Sequence, residues 1–478
     1  MSTASPAAQS LNRKVIGITI GAALGGFLFG FDSSVINGAV DSIQGQFGLT
    51  DAMTGFTVAS ALLGCAVGAW FAGTLANHWG RIRVMVIASV LFFISAILSG
   101  LAVGVGDLIL WRVLGGLAVG AASVIAPAYI AEVAPATFRG RLGSLQQLAI
   151  VTGIFAALLT AQLFATTAGG ASQDLWLGLE AWRWMFMAEA IPAVIYGAIA
   201  LRLPESPRYL VGKHRDDEAL AVLASVDEDD PAGKVAEIRE SLGTDDERSL
   251  KDLRGNSFGL KPIVWTGILL AMLQQLVGIN VIFYYSTTLW QSVGFSESDA
   301  FLTSTITSVT NIVVTIVAIL LVDKLGRRRL LLIGSVGMFV TLALMAIAFS
   351  HASVNDAGDA VLSGQAATTA LIGANGFVVF FGATWGPVVW VLLGEMFPNR
   401  IRATALAVAA AAQWIANFAV TITFPSLSTF SLPFAYGLYA FMALVSFFFV
   451  LKRVRETKGV ELEDMTDAST VGRASLPA

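Results

Sequence analysis

The sequence predicts an all-α membrane protein of twelve transmembrane helices, set out as two pseudo-symmetric six-helix bundles with a small intracellular helical segment between them. Three observations predict it. Hydrophobic residues make up 56% of the 478-residue chain and charged residues only 13%, where soluble domains carry roughly 45–50% and about 25%. The charges fall in clumps between long apolar runs, and one polar stretch, 204–261, divides those runs six and six. Short motifs recur at matching places in the two halves, as expected of a transporter-like chain built from duplicated bundles.

A helix needs about 20 predominantly apolar residues to cross roughly 30 Å of hydrocarbon. Runs of that kind lie near 15–40, 52–76, 84–104, 108–132, 142–166, 184–203, 262–290, 300–322, 330–350, 367–393, 402–425 and 432–451. Only helices and closed barrels satisfy the backbone in lipid, and runs this long are not barrel strands. The first run is too long for a signal-peptide core and contains Asp32, so it belongs to the mature protein. Lysine and arginine set the orientation, because cytoplasmic loops hold an excess of them. With the N-terminus inside, only Arg112 and Arg183 of the 29 basic residues fall outside the cytoplasmic segments. Both termini are therefore expected in the cytoplasm, in a multi-pass protein of the cell (inner) membrane.

The expected layout is a tail over 1–14, a bundle over 15–203, the helical linker 204–261, a second bundle over 262–453 and a tail over 454–478. The linker holds 9 Lys/Arg and 14 Asp/Glu, and Glu218–Val226 and Val235–Leu242 have the pattern of short amphipathic helices. After the second run of each half come Gly80-Arg81-Ile82-Arg83 and Gly326-Arg327-Arg328-Arg329. After the fourth come Glu132-x-x-Pro135-x-x-x-Arg139-Gly-Arg141 and Glu395-x-x-Pro398-x-Arg400-x-Arg402. Four matches in register point to a gating role, in which Glu132 and Glu395 pair with arginines such as Arg81, Arg139, Arg327 and Arg402 and latch the cytoplasmic side shut through bonds that break when it opens.

A net charge of −4 gives no basic face for nucleic acid. Cys65 is the single cysteine, so no intrachain disulfide is possible. His78, His214 and His351 are scattered and offer neither a metal cluster nor an acid/base pair, which argues against a membrane enzyme. No cofactor is expected beyond a proton gradient as driving force, and the expected partners are a small solute, the proton and the lipid bilayer around a functional monomer.

Charge near the bilayer centre costs about 2.5–3.5 kcal/mol and is therefore usually functional. Asp32 lies about 27 Å up the first helix from Lys14, and Arg112 about 30 Å above Glu132 in the fourth. The matching depths permit an Asp32–Arg112 pair that works either as a static tie or as a proton switch. Amides are concentrated as well: Gln274, Gln275 and Asn280 share the seventh run with Tyr284 and Tyr285, and Gln146, Gln147, Asn311, Gln413 and Asn417 recur elsewhere near Trp385, Trp390 and Trp414. Neutral amides both donate and accept, which suits hydroxyls, while aromatic faces cover apolar C–H surface. An uncharged polyhydroxylated solute fits that set. Gly386-Pro387 softens the tenth helix, and Gly116 and Gly120 suit close helix packing.

Together, Gly30-Phe31-Asp32, Arg112-x-x-x-Gly116-x-x-x-Gly120, Pro204-Glu205-Ser206-Pro207-Arg208-Tyr209-Leu210, Gln274-Gln275-x-x-Gly278-Ile279-Asn280 and Val322-Asp323-Lys324-Leu325-Gly326-Arg327-Arg328 resemble the sugar porter family of the major facilitator superfamily. The chain looks most like its bacterial xylose and glucose proton symporters. The resemblance implies sugar contacts at Gln147, Gln274, Gln275, Asn280, Asn311, Trp390 and Gln413, lining by Phe29, Trp414 and Asn417, and an outer gate at Tyr284 and Tyr285. Asp32 stands where the symporters carry a proton-linked aspartate. Two motifs depart from the family pattern, at Gly80-Arg81-Ile82-Arg83 and Arg455-Glu456-Thr457-Lys458-Gly459. The expected function is proton-coupled import of a hexose or pentose by alternating access. A polyol or inositol symporter, a facilitative sugar uniporter and a transporter-like sensor are the alternatives.

Overall fold

The structure, a computed structural model, describes residues 13–133, 139–226, 230–243, 250–354, 360–362, 364–397 and 401–457. Among these, ten continuous helical stretches are long and apolar enough to cross a membrane. The expected twelve spans follow from two local facts. The sixth span is broken at Glu189 into Ala181–Ala188 and Ala190–Ala200, so neither piece qualifies alone. The stretch Arg402–Arg453 runs 52 residues, about 78 Å at 1.5 Å per residue and more than twice the hydrocarbon thickness. It is two spans joined at Ser431, whose extended backbone (φ −173°, ψ 111°) precedes Pro433.

The other spans are Arg13–Val35, Asp51–Trp79, Arg81–Gly100, Val105–Val133 and Arg139–Ala168 in the first half. In the second half the seventh span opens with Pro262–Leu276, and Glu297–Leu325 and Arg327–Ser350 are the eighth and ninth. The tenth is built from Gly364–Phe380, a π turn over Phe381–Trp385, and Gly386–Met396. Glycines set how closely the first-half helices approach. A Cβ on Gly116 would meet the carbonyl oxygen of Ala61, one on Gly120 that of Cys65, and one on Gly30 that of Ile150. Small residues at these crossings let backbones touch where lipid supplies no hydrophobic drive.

Two features give the molecule distinguishable ends. At one end lies the linker, folded as Pro207–Gly212, Asp216–Ser225 and Pro231–Gly243. The two expected amphipathic helices are there, and with the first they bury Leu210, Val211, Ala219, Leu223 and Val235 in a core of their own. At the other end lie two small β-hairpins, Asp174–Trp176 with Leu179–Glu180 and Ser353–Val354 with Ala360–Val361. Strands of two or three residues carry no readable period, which is why the sequence did not announce them. The buried core is continuous between the halves at this hairpin end, where Phe31, Val35, Ile36 and Met185 join Ile282, Tyr285, Trp290 and Phe301. Toward the linker, a second core is built almost wholly from the first half.

Candidate functional site

Among the described residues, Arg112, Asp32 and Glu189 form one sealed cluster inside the first half. Arg112 Nη1 lies 3.4 Å from Asp32 Oδ1 and donates to the Asp32 carbonyl at 3.1 Å, and both residues are 2% exposed. The first and fourth spans thus meet at the depths expected from the sequence. The third member, Glu189, is a residue that sequence reasoning missed. It sits at the break of the sixth span, 1% exposed, with its carboxyl facing that of Asp32 and its Oε1 accepting no hydrogen bond. Phe186 closes the cluster, its ring 5.7 Å from the Arg112 guanidinium carbon. One cation therefore serves two carboxylates in a buried site. The signal was present, since Glu189 interrupts the apolar run 184–203.

The amide cluster belongs to the second half. Gly278 (φ +82°) ends the first segment of the seventh span and starts Ile279–Tyr284, and a Cβ there would enter the Tyr439 ring. That turn folds Asn280 back onto Gln275, Nδ2 to Oε1 at 2.6 Å. Gln413 Nε2 on the eleventh span donates to Gln274 Oε1 at 2.7 Å, and Gln274 Nε2 donates to the carbonyls of Trp385 (2.8 Å) and Gly386 (3.2 Å) on the tenth. Gln274, Gln275, Asn280 and Gln413 are thus brought together. Asn311 on the eighth span is buried against Gly382. Phe29 meets Trp414 across the two halves, ring centroids 5.9 Å apart. Asn417 is buried one turn further on and accepts from Thr421 Oγ1 at 3.2 Å. Gln147 is half-buried on the fifth span, whereas its neighbour Gln146 is buried beneath Gly26 with Oε1 unpartnered. Trp390 stands apart, 41% exposed on the linker side of the tenth-span joint.

Above this cluster the hairpin end is sealed. Tyr284 and Tyr285 are buried, and Tyr285 donates to the Thr421 carbonyl at 2.9 Å with its ring on Phe424. Asn37, at the end of the first span, crosses from one half to the other. Its Nδ2 donates to the Phe283 carbonyl (3.0 Å) and Ser286 Oγ (2.8 Å), and its Oδ1 accepts from Thr287 N (3.0 Å). Thr287 Oγ1 also donates to the Asn37 carbonyl at 2.6 Å. Nothing singles out Asn37 in the sequence beyond its place in an apolar run.

At the linker end the repeated motifs form two copies of one bracket. Glu132 takes both Arg81 Nε (2.9 Å) and Nη2 (2.7 Å), and Glu395 takes Arg327 Nε (3.1 Å) and Nη2 (2.9 Å). Ser206 Oγ donates to Glu132 and Thr457 Oγ1 to Glu395, at 2.5 and 2.6 Å. Glu205 accepts from the backbone N–H groups of Arg81 and Ile82, and Glu456 from those of Arg327 and Arg328. These pairs lie within one half each and do not cross between halves. Arg139 and Arg402 begin the fifth and eleventh spans, but their side chains fall outside the described residues, as do Pro135, Pro398 and Arg400.

The chain matches the family model described as "Sugar (and other) transporter" over residues 18–468. It is 53% identical over 466 residues to a glucose transport protein of Synechocystis sp., covering 97% of this chain and 99% of that one. It is 37% identical over 485 residues to the D-xylose-proton symporter of Escherichia coli, covering 94% and 95%. Among solved structures it is similar to the xylose transporter of E. coli in a partially occluded inward-open conformation, with a TM-score of 0.79 at 33% identity, covering 92% of this chain and 100% of that one.

Proposed function

The chain belongs to this family of sugar transporters, and on that premise we propose that it is a proton-coupled importer of a monosaccharide, hexose or pentose, working by alternating access. The observation that carries the proton coupling is the sealed cluster of one arginine and two carboxylates, Arg112, Asp32 and Glu189. One guanidinium balances one carboxylate, so the neutral cluster holds a proton, and losing it leaves an unbalanced buried charge. That cost ties proton release to a rearrangement of the first, fourth and sixth spans. The sugar reading rests on the amide set. Gln147, Gln274, Gln275, Asn280, Asn311, Trp390 and Gln413 are the proposed sugar contacts, lined by Phe29, Trp414 and Asn417, with Tyr284 and Tyr285 as the gate above.

In this reading the bundles 15–203 and 262–453 rock about the site, joined by 204–261 and flanked by the tails 1–14 and 454–478. The linker end faces the cytoplasm and the hairpin end faces out, in keeping with the clustering of Lys and Arg. A sealed hairpin end beside an exposed Trp390 then corresponds to an inward-facing state. The brackets Arg81–Glu132 and Arg327–Glu395 are closed in this state and lie within one half each, so they are not a latch between the halves that breaks on opening; as gating elements they, with Arg139 and Arg402 nearby in sequence, keep the cytoplasmic end of each bundle in shape as the halves part. The carrier works as a monomer in the bacterial inner membrane and needs no cofactor.

The test is uptake of D-glucose and D-xylose into proteoliposomes with and without an imposed pH gradient, comparing the native chain with Asp32→Asn. Gradient-driven accumulation is expected in the native chain and lost in the variant, while sugar exchange persists. Gradient-independent equilibration in both would overturn proton coupling and leave a uniporter.

A further inference from the structure

Among the described residues only three other than glycine hold a positive φ: Leu177 (+56°), His214 (+58°) and Phe258 (+48°). A bulky side chain crowds the backbone there, and such a residue persists only where its surroundings hold it. Two of the three are also the most exposed large apolar side chains, Leu177 at 89% and Phe258 at 96%. Each stands immediately before a glycine of positive φ, Gly178 or Gly259, and four residues before a helix that enters the membrane, at Ala181 or Pro262. Asparagine or aspartate is the usual residue ahead of glycine in a tight hairpin turn of this kind. Contact with water gives no reason for leucine or phenylalanine in its place.

Both turns are held at their bases and exposed at their tips. Leu177 tops the hairpin of Asp174–Trp176 with Leu179–Glu180. The Trp176 ring packs edge-on against Phe164 of the fifth span and Trp184 of the sixth, at 5.5 and 5.4 Å, and Trp184 Nε1 donates to the Trp176 carbonyl at 3.1 Å. Leu163 on the fifth span and Ile191, Val194 and Ile195 on the sixth are exposed, so the tip continues the apolar surface that these spans turn to lipid. Phe258 tops a turn closed between Arg254 and Leu260, where Gly255 N donates to the Gly259 carbonyl at 3.3 Å and Lys261 N to the Leu253 carbonyl at 2.9 Å. Leu253 is buried and Leu260 packs on the core, while Pro262 and Leu269 are exposed along the seventh span. One tip thus lies at the hairpin end and the other at the linker end.

We propose that Leu177 and Phe258 are lipid anchors, each seated at the headgroup boundary of one leaflet, with Trp176 and Trp184 as an aromatic girdle beside Leu177. Tryptophan, apolar in its ring and polar at its N–H, collects at that depth. An apolar tip buried there leaves water without leaving its turn. With the linker end in the cytoplasm, as in the orientation above, the flanking charges match as well. Arg254 and Lys261 adjoin Phe258, where anionic headgroups attract them, whereas Asp174 and Glu180 adjoin Leu177. The anchored helices are the last span of the first half and the first span of the second, so each half keeps one end at a fixed depth as the two rock. This holds whichever solute crosses.

The experiment places one nitroxide at a time, at Leu177→Cys or Phe258→Cys, on the full chain in nanodiscs of phosphatidylethanolamine and phosphatidylglycerol. His214→Cys is the reference, because His214 shares the positive φ and is exposed on the linker. Cys65 is buried and takes no label. Relaxation by oxygen, which concentrates in lipid, is compared with relaxation by a water-soluble nickel chelate. The oxygen-to-nickel ratio is expected to be several-fold higher at 177 and 258 than at 214. A ratio equal to that at 214 would place the tip in water and overturn its anchor. Protection from both reagents would mean that protein, a second copy or another chain, covers the tip, and would overturn the lipid assignment. Should a cysteine variant fail to fold, the unmodified chain is irradiated with a phospholipid bearing a diazirine at the top of its acyl chain. Carbene insertion is then expected at Leu177 and Phe258 and not at His214, and its absence at either tip would overturn that anchor.

Discussion

Asn37 shows how much of the closed end hangs on one side chain. Its amide satisfies a carbonyl, a hydroxyl and a backbone N–H of the opposite half, all away from water. Asn37→Ala leaves the Thr287 N–H buried without its acceptor, a penalty of about 1–3 kcal/mol. We expect the hairpin end to open more often, read as a longer distance between labels on the hairpin ends of the second and eighth spans. An unchanged distribution would show that apolar packing alone holds the seal. Glu189 invites a separate trial: Glu189→Gln is expected to retain sugar exchange and lose gradient-driven accumulation, and full accumulation would remove it from the coupling cluster. At this scale the sequence was partly legible. Asp32 and Arg112 stood out because charge in an apolar run is expensive and their depths could be counted. Glu189 and Asn37 lay in runs of the same kind, yet each is placed by a helix break or a crossing between halves that no one-dimensional count contains.

At the scale of elements, the two brackets explain why glycine precedes the third and ninth spans. Gly80 (φ +94°) and Gly326 (φ +85°) hold backbone conformations that side-chain-bearing residues rarely adopt, and a Cβ on either would meet the carboxylate of Glu205 or Glu456. Each carboxylate accepts from the first N–H groups of the helix that follows, a capping interaction worth about 0.5–2 kcal/mol. Glu456→Ala should therefore lower the melting temperature in detergent by the equivalent of about 1 kcal/mol, and Gly326→Ala should do at least as much harm. Equal melting of Glu456→Ala and the native chain would reduce the bracket to a surface contact. The Gly-Arg and Glu-to-Arg repeats were readable as a pattern. The equivalence of Pro204-Glu205-Ser206 with Arg455-Glu456-Thr457 was not, because the two share only a glutamate followed by a hydroxyl.

For the whole molecule, the asymmetry between ends defines the state. The halves share a continuous core at the hairpin end, and a Cβ on Gly55 of the second span would meet the carbonyl of Ile422 on the eleventh. Gly55→Leu drives a side chain between two touching backbones, an overpacking cost of about 1–3 kcal/mol or roughly 5–150-fold in the closed population. Net uptake in proteoliposomes should fall by that order while sugar still binds from the hairpin side; undiminished uptake would show that the two helices part easily. Twelve spans, two halves and the linker helices were legible from hydropathy and repeats. The conformation was not, because one sequence encodes every state of the cycle and only packing distinguishes them.

The brackets also order the chain in time. Glu205 and Ser206 open the linker directly after the sixth span, so every residue of the first half's bracket has been made before the rest of the linker. Glu456 and Thr457 come after the twelfth span, so the second half cannot clasp its ninth helix until all its spans have left the ribosome. Each half therefore completes itself with a segment that arrives last, and the first can finish folding in the membrane while the second is still being translated.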